Sequence, residues 1–343
     1  MSMIYQKPKA LQPGMCVSVI APASGLMSDE RLDLGIERLK AQGFRVKEGA
    51  HLRERLGFLA STDKNRLSDL LNAFADPEVD AIMCMRGGYG TMRLLDSIDY
   101  DLIRSNPKVF VGFSDITALH LAFLKCVNLV SFNGLMLTTT LGATEPSAYT
   151  IERFMSIVGS PDQALGSVWG DHPDGKRLTV PVTSGKASGI LTGGNLSLVA
   201  ATIGTPYEIE TKGRIVFLED VDETPYKFDR MLTQMMLSRK LYDAAAIVFG
   251  RNVPDRESEI TEKELGYEGI KASVEKCFPK TAERSWYPII DQVIADRLRP
   301  LGIPVIIGLP FGHIDHYATL PIGCNATIDV DSGEFTIDEP AVM

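Results

Sequence analysis

Three kinds of residue in this chain could share one reaction: a serine in a tight turn, a histidine leaving a buried strand, and a group of acids at the end of another. Ser114 stands in "VFVGFSDITALH", residues 109 to 120, where a strand-like apolar run gives way at once to a helix-like one. A serine at such a junction places its Oγ at the carboxyl edge of a sheet, where α/β proteins hold their ligands. The backbone N–H of Asp115 then stands at a helix N-terminus, able to donate to a developing oxyanion. The match to the G-x-S-x-G nucleophile elbow is incomplete, because Ile116 occupies the fifth position. The plain alternative for Ser114 is an N-cap, since serine accepts readily from the first N–H groups of a helix.

A serine hydroxyl is a poor nucleophile without a neighbouring base. The five histidines are His51, His120, His172, His313 and His316. His120 lies six residues along the helix and points away from its N-terminus. His51 and His172 fall in polar, loop-like segments and read as solvated. His313 closes "VIIGLPFGH", a buried strand leaving through a Pro-Gly turn, again at a carboxyl end. His316 would make a metal pair with it only with further ligands, and none is spaced for that. To orient a base, "RIVFLEDVDE" offers Glu219, Asp220, Asp222 and Glu223. Period-two alternation puts Glu219 and Asp220 on opposite faces but does not choose among the four acids. The chain order serine, acid, histidine is that of the α/β-hydrolases, although triads recur in several orders on unrelated folds.

These positions need sheets to hold them. "MCVSVIAPAS" reads as a buried strand and "SDERLDLGIERLKAQG" as a helix capped by Ser28 and closed by Gly43. "FRVKEG", "VDAIMCM", "KVFVGFS" and "NLVSFNG" are further strands, with helices over "STDKNRLSDLLNAFAD", "TMRLLDSI" and "DITALHLAFLKC". Strands separated by such helices predict βαβ units and a parallel sheet. Residues 160–185 are rich in Gly, Pro and Asp and read as a loop or linker. Beyond them, "GKASGILTGGNLSLVAATIG" reads as strand, turn and helix, and "GRIVFLEDV", "AAAIVFG" and "IPVIIGLPFGH" as strands. "FDRMLTQMMLSRK" and the polar "SEITEKELGYEGIKASVEKC" read as helices, and "NATIDVDSGEFTID" as a hairpin turning at Asp331-Ser332-Gly333. The expected division is residues 1–165 as an α/β domain carrying the serine, a linker over 166–185, and a more β-rich domain over 186–343 carrying the acid and the histidine.

The 343 residues suit two domains at roughly 100–200 residues each. With 45% hydrophobic and 23% charged residues, the composition is that of a globular protein able to bury a core. A net charge of -9 argues against a nucleic-acid surface. No stretch reaches the ~18 uninterrupted apolar residues of a membrane span, and the N-terminus lacks the apolar region of a secretion signal. A cytoplasmic protein without membrane or nucleic-acid partners is expected. Cys16, Cys84, Cys126, Cys277 and Cys324 form no C-x-x-C pair, so they suggest neither a disulfide framework nor a zinc site.

Taken together, "VIAPAS", "MRGGYGTMRLLD", "VGFSDITALHLA", "LTGGNLSLVAATIGTP", "GRIVFLEDVDETPYKFDRMLTQM" and "IPVIIGLPFGH" resemble the LD-carboxypeptidases, the serine peptidases of family S66. The resemblance covers roughly residues 15 to 320. It implies an α/β fold: an N-terminal Rossmann-like parallel-sheet domain plus a C-terminal β-rich, barrel-like domain, with the site between them. It implies Ser114 as nucleophile, His313 as base and, among the four acids, Glu219 as the residue that orients the base. Its oxyanion hole maps to the backbone N–H groups of Asp115 and Gly88. Gly87 and Asn195 map to the substrate cleft; glycine suits such a loop because no Cβ intervenes between backbone and substrate. The implied reaction releases D-alanine from a murein tetrapeptide at the L-centre of diaminopimelate or lysine, with no metal or cofactor and in a homodimer.

Two features depart from the family pattern. Asn133 to Met136 read "NGLM" where members carry "HGPM", and "TEKELGYEGIKASVEKCFPKTAERSWYP" lengthens the segment before His313 into an added helix, a lid or a subunit contact. Two other readings compete. The microcin-immunity branch of the same family shares the triad and cleaves peptidyl- or aminoacyl-nucleotides, with Trp169 as a conceivable stacking residue. A non-catalytic two-lobed binding protein would use Ser114 only to hold an anion, but such receptors usually carry a secretion signal.

Overall fold

The computed structural model describes residues 5–175, 179–251 and 286–343, so the polar helix expected over 258–277 lies outside it, as does most of the lengthened segment. The first sheet holds the parallel strands β1 (Cys16–Ile20), β2 (Arg45–Glu48), β3 (Ala81–Cys84), β4 (Val109–Gly112) and β5 (Ser131–Asn133), in the order β5-β4-β3-β1-β2. Helices α1 (Asp29–Ala41), α2 (Asp63–Ala75), α3 (Tyr100–Ser105) and α4 (Thr117–Val127) lie between them in the chain. As the sequence predicts, the Ser28 hydroxyl caps α1 by accepting the Arg31 N–H, and Gly43 follows its end. "TMRLLDSI" forms a 3₁₀ turn over Thr91–Ser97 rather than an α-helix.

After α5 (Ala148–Gly159) the chain builds a second sheet. Its elements are β6 (Gly166–Ser167), β7 (Val180–Pro181), β8 (Lys186–Asn195), α6 (Leu196–Thr202), β9 (Ile215–Glu219), α7 (Pro225–Leu237), β10 (Ala246–Gly250), α8 (Trp286–Leu298) and β11 (Val305–Leu309). Then β12 (Leu320–Ile322) returns to the first sheet, antiparallel to β5, before β13 (Asn325–Asp329) and β14 (Glu334–Ile337) finish the second. The order is β6-β14-β13-β8-β9-β10-β11-β7, with β8 to β11 parallel and the flanking strands antiparallel. This sheet is open, with β6 and β7 as separate edges, so the β-rich half is an open mixed sheet and not a closed barrel. β8 passes straight into α6 without the expected turn; its first half pairs with β13 and its second with β9.

Alternation within the strands explains how the two sheets share a core. Val17, Val19, Met83 and Val111 from the first sheet join Ile215, Phe217, Val248 and Ile306 from the second in one apolar cluster. The alternate residues Ile82 and Phe110, or Val216, Ile247 and Ile307, fall in separate clusters with helix side chains. Strands covered on both faces read as near-continuous apolar runs. Each buried Val, Ile or Phe contributes about 1.5–3 kcal/mol, so the strand ends that carry the site are fixed by their own cores. The 166–185 stretch is packed as well: Val168, Trp169, His172 and Val182 are buried. No helix among the described residues is long and apolar enough to cross a membrane. Cys16, Cys84, Cys126 and Cys324 are free thiols, and Cys277 lies outside the described residues.

Candidate active site

β4 ends at Gly112, extended Phe113 follows, and Ser114 takes φ 63 before the chain turns through Ser114–Ile116 into α4. A non-glycine residue held left-handed carries strain of roughly 1–3 kcal/mol and persists only where its surroundings fix it. Ile116, not Ser114, precedes α4, and no side chain caps that helix. The N-cap alternative therefore does not describe this turn. Ser114 is the half-exposed crest of a sharp strand-to-helix bend.

His313 meets this bend at Phe113. Its ring packs against Phe113, the residue before Ser114, with centroids 4.9 Å apart. Its Nδ1 is 2.7 Å from Oε2 of Glu219, the last residue of β9. A carboxylate can only accept, so Nδ1 carries the proton and Nε2 is left as the basic nitrogen. Glu219 is 1% exposed. Asn195 Nδ2 donates to Glu219 Oε1 at 3.3 Å and to Asp220 Oδ1 at 3.0 Å, while its Oδ1 caps α6. The Asn195 backbone N–H donates to Thr117 Oγ1 at 2.9 Å, in the first turn of the helix behind Ser114. Asn195 is thus buried against the acids. Asp220, also buried, accepts from the Ser197 N–H and hydroxyl and from the Val221 N–H. Burial, and next the Glu219 charge, push its carboxyl up to about 6.

The Gly-rich loop meets Ser114 from β3. An added methyl on Gly87 would stand 3.0 Å from Ser114 Oγ, and Gly88, at φ 108, lies against the Ser24 side chain. Ser24 braces this loop by donating its N–H to Gly87 O at 3.3 Å and accepting the Tyr89 N–H at 3.0 Å. Asp115, 1% exposed, accepts the Thr91 N–H on Oδ2 at 2.8 Å, and its carbonyl accepts the Thr91 hydroxyl. Burial raises the Asp115 carboxyl, against the lowering effect of these bonds. Arg66, fully buried, donates to the carbonyls of Pro22 and Gly90. None of Ser24, Arg66 or Thr91 is singled out by sequence reading. Their only signal is position: Ser24 ends "VIAPAS" at a strand's carboxyl edge, Thr91 follows the Gly-rich loop, and Arg66 falls within a helix-like segment.

The other histidines do structural work. His120 is fully buried, with Nε2 2.8 Å from Gly112 O and Nδ1 2.8 Å from Ser131 Oγ. Burial lowers its pKa to about 4. His51 pairs with Asp69 at 2.9 Å. His172 is not solvated as its polar segment suggests. It is buried between Tyr149 and Trp169, and its Nε2 donates to His316 O at 2.8 Å. Trp169 anchors that loop through its Nε1–H to Gly333 O at 2.9 Å. Asn133 is buried at the end of β5, beside Gly112.

Comparison with known proteins agrees with this architecture. The LD-carboxypeptidase N-terminal domain model matches residues 17–134, and the LD-carboxypeptidase C-terminal domain model matches residues 188–328. The chain is 38% identical over 323 residues to the probable murein peptide carboxypeptidase of Bacillus subtilis (strain 168), covering 94% of this chain and 91% of that protein. It is 30% identical over 320 residues to the murein tetrapeptide carboxypeptidase of Pseudomonas aeruginosa, covering 91% and 92%. Among solved structures, an MccF-like protein from Bacillus anthracis str. Ames superposes with a TM-score of 0.78 at 29% identity, covering 97% of this chain and 99% of that one.

Proposed function

The chain belongs to the LD-carboxypeptidase family, peptidase S66, and from that premise we propose that it releases the terminal D-alanine of murein tetrapeptides through Ser114, His313 and Glu219. The observation that carries the proposal is the left-handed Ser114, whose neighbour Phe113 packs against a histidine with its Nδ1 anchored by a buried glutamate. In this reading the first sheet supplies the nucleophile and the second the base and its acid. His313 Nε2 takes the Ser114 proton as Oγ attacks the carbonyl at the L-centre, and Glu219 stabilises the imidazolium that forms. The oxyanion is held by the Asp115 and Gly88 N–H groups. Collapse of that intermediate breaks the C–N bond, His313 returns the proton to the departing D-alanine amine, and water then hydrolyses the acyl-enzyme. Asn195 acts through Glu219 and Asp220.

The test is D-alanine release from a purified murein tetrapeptide by wild type and Ser114→Ala. Release by the wild type alone supports nucleophile and substrate together. Release by both removes Ser114 from the chemistry. A folded wild type that leaves the tetrapeptide intact but cleaves an aminoacyl-sulfamoyl-adenosine favours the microcin-immunity reading, which the likeness to an MccF-like protein keeps in view. Trp169, buried and bonded to Gly333 O, offers that reading no open stacking face.

A further inference from the structure

A second polar cluster adjoins the chain just past His313. His316 Nδ1 is 2.8 Å from Ser147 Oγ, and the His316 carbonyl accepts from His172 Nε2 at 2.8 Å. His172 Nδ1 in turn accepts the Asp174 N–H at 3.1 Å. The Asp174 carboxylate accepts Arg251 Nη1 at 2.7 Å. Each bond explains the next group in the relay until Arg251. Its side chain is only 12% exposed, yet Nε and Nη2 are both buried and have no hydrogen-bond partner.

Those two atoms form one edge of the planar guanidinium, the edge that accepts a carboxylate through two parallel hydrogen bonds. Leaving charged donors buried and unpaired is costly, and such a group calls for a specific explanation. The position of Arg251 supplies one. It directly follows β10, the strand beside β9, and its carbonyl faces Gly312. An added methyl on Gly312 would stand 3.5 Å from Arg251 O and 3.2 Å from Glu219 Oε2. The Arg251 backbone and the Glu219 carboxylate therefore flank one glycine, and the next residue is His313. Asp174 fixes one end of the guanidinium, and no protein group among the described residues pairs with the opposite edge.

We propose that Arg251 is a substrate-carboxylate anchor, its Nε–Nη2 edge binding a carboxylate of the peptide on which this enzyme acts. The proposal rests on the murein reading above, and it addresses what that reading leaves open, namely which peptide is preferred. Two carboxylates of such a peptide present the same pair of oxygens: the free C-terminus of the departing D-alanine, and the side-chain carboxylate of diaminopimelate. Arginine at this position selects for planar, bidentate recognition, which lysine does not reproduce.

The experiment measures kcat and KM of the full chain, as wild type, Arg251→Gln and Arg251→Lys, on three peptides. These are the diaminopimelate tetrapeptide, its lysine counterpart, and the diaminopimelate peptide with a C-terminal amide. Loss of a charge-assisted pair is expected to raise KM about 10–100-fold in Arg251→Gln on peptides carrying the recognised carboxylate, with kcat near wild type. The peptide lacking that carboxylate should be handled equally by wild type and variant. Insensitivity confined to the amide identifies the terminal carboxylate, and insensitivity confined to the lysine peptide identifies diaminopimelate. Melting temperature checks the fold, and if Arg251→Gln fails to fold, Arg251→Lys keeps the charge, lacks the fork and gives the same comparison. An equal change on all three peptides, or none, overturns the anchor while leaving the murein reading intact. A wild type that cleaves none of the three overturns both.

Discussion

A single methyl at Gly87 tests whether the reaction takes place at Ser114. No positive φ stands in the way of alanine there, so the backbone accepts the substitution and the effect is steric. The new Cβ would lie 2.8 Å from Ser114 Cβ and 3.0 Å from its Oγ. Carbon atoms rest at about 3.5–4.0 Å from one another, so roughly 0.7–1.2 Å must be yielded. The loop cannot easily yield it, because Ser24 holds the Gly87 carbonyl and packs against Gly88. Ser114, already in a strained conformation, is the side that moves. A displacement of about 1 Å costs on the order of 10²-fold in rate, or about 2.7 kcal/mol at 1.36 kcal/mol per factor of ten. Overpacking costs stability by roughly 1–3 kcal/mol, which a domain of about 5–15 kcal/mol withstands. Gly87→Ala should therefore remain folded, with kcat for D-alanine release down about 30–100-fold and KM within about threefold. The assay pairs steady-state kinetics with a thermal melt. A folded Gly87→Ala whose kcat stays within about threefold of wild type would refute the placement of the reaction at this serine.

Two further outcomes follow from the same geometry. Glu219→Gln can offer His313 Nδ1 an amide donor in place of a pure acceptor, which favours the wrong tautomer, and kcat should fall about 10³–10⁴-fold. A loss below tenfold would mean that Asp220, the neighbouring buried acid, orients the base instead. His120 supplies one part of the pH dependence of stability. Its folded pKa of about 4 lies below the ordinary 6.5, so the fold favours neutral imidazole. That contribution is complete above pH 6.5 and is lost as pH falls toward 4, amounting to roughly 3 kcal/mol by linkage. Urea unfolding at pH 7 and pH 4.5 should show a larger loss in wild type than in His120→Gln, and equal losses would refute the assignment.

The sequence made some of this geometry legible and concealed the rest for physical reasons. Ser114 could be read because a strand, a serine and a helix follow one another without a linker, and only a sharp turn joins them. His313 could be read because a buried strand, β11, leaves through a short Pro-Gly turn directly onto it. Glu219 could not be separated from Asp220 by alternation, since both are buried at the end of β9. The distinction lies in what faces each: His313 meets Glu219, and Ser197 meets Asp220. The open second sheet was illegible because its edges are the two-residue strands β6 and β7, too short to show a period. His172 was misread because Gly, Pro and Asp dominate its segment, while Val168 and Trp169 hold it in the core.

What escaped the sequence is how particular side chains join parts of the site to one another. Asp115 shows why. Its backbone N–H is one proposed oxyanion donor, and its carboxylate holds the Thr91 N–H. Thr91 directly follows Gly88-Tyr89-Gly90, the loop that carries the other donor. One side chain therefore ties the two proposed donors together, across 24 residues of sequence. Asn195 does the equivalent between the sheets: its side chain holds Glu219 and Asp220, and its N–H holds Thr117, three residues past Ser114. No local pattern encodes either link, because each joins loops that are neighbours only after β3, β4, β8 and β9 have aligned. The motifs mark where the proposed chemistry can occur, and these two buried polar residues hydrogen-bond those places to one another.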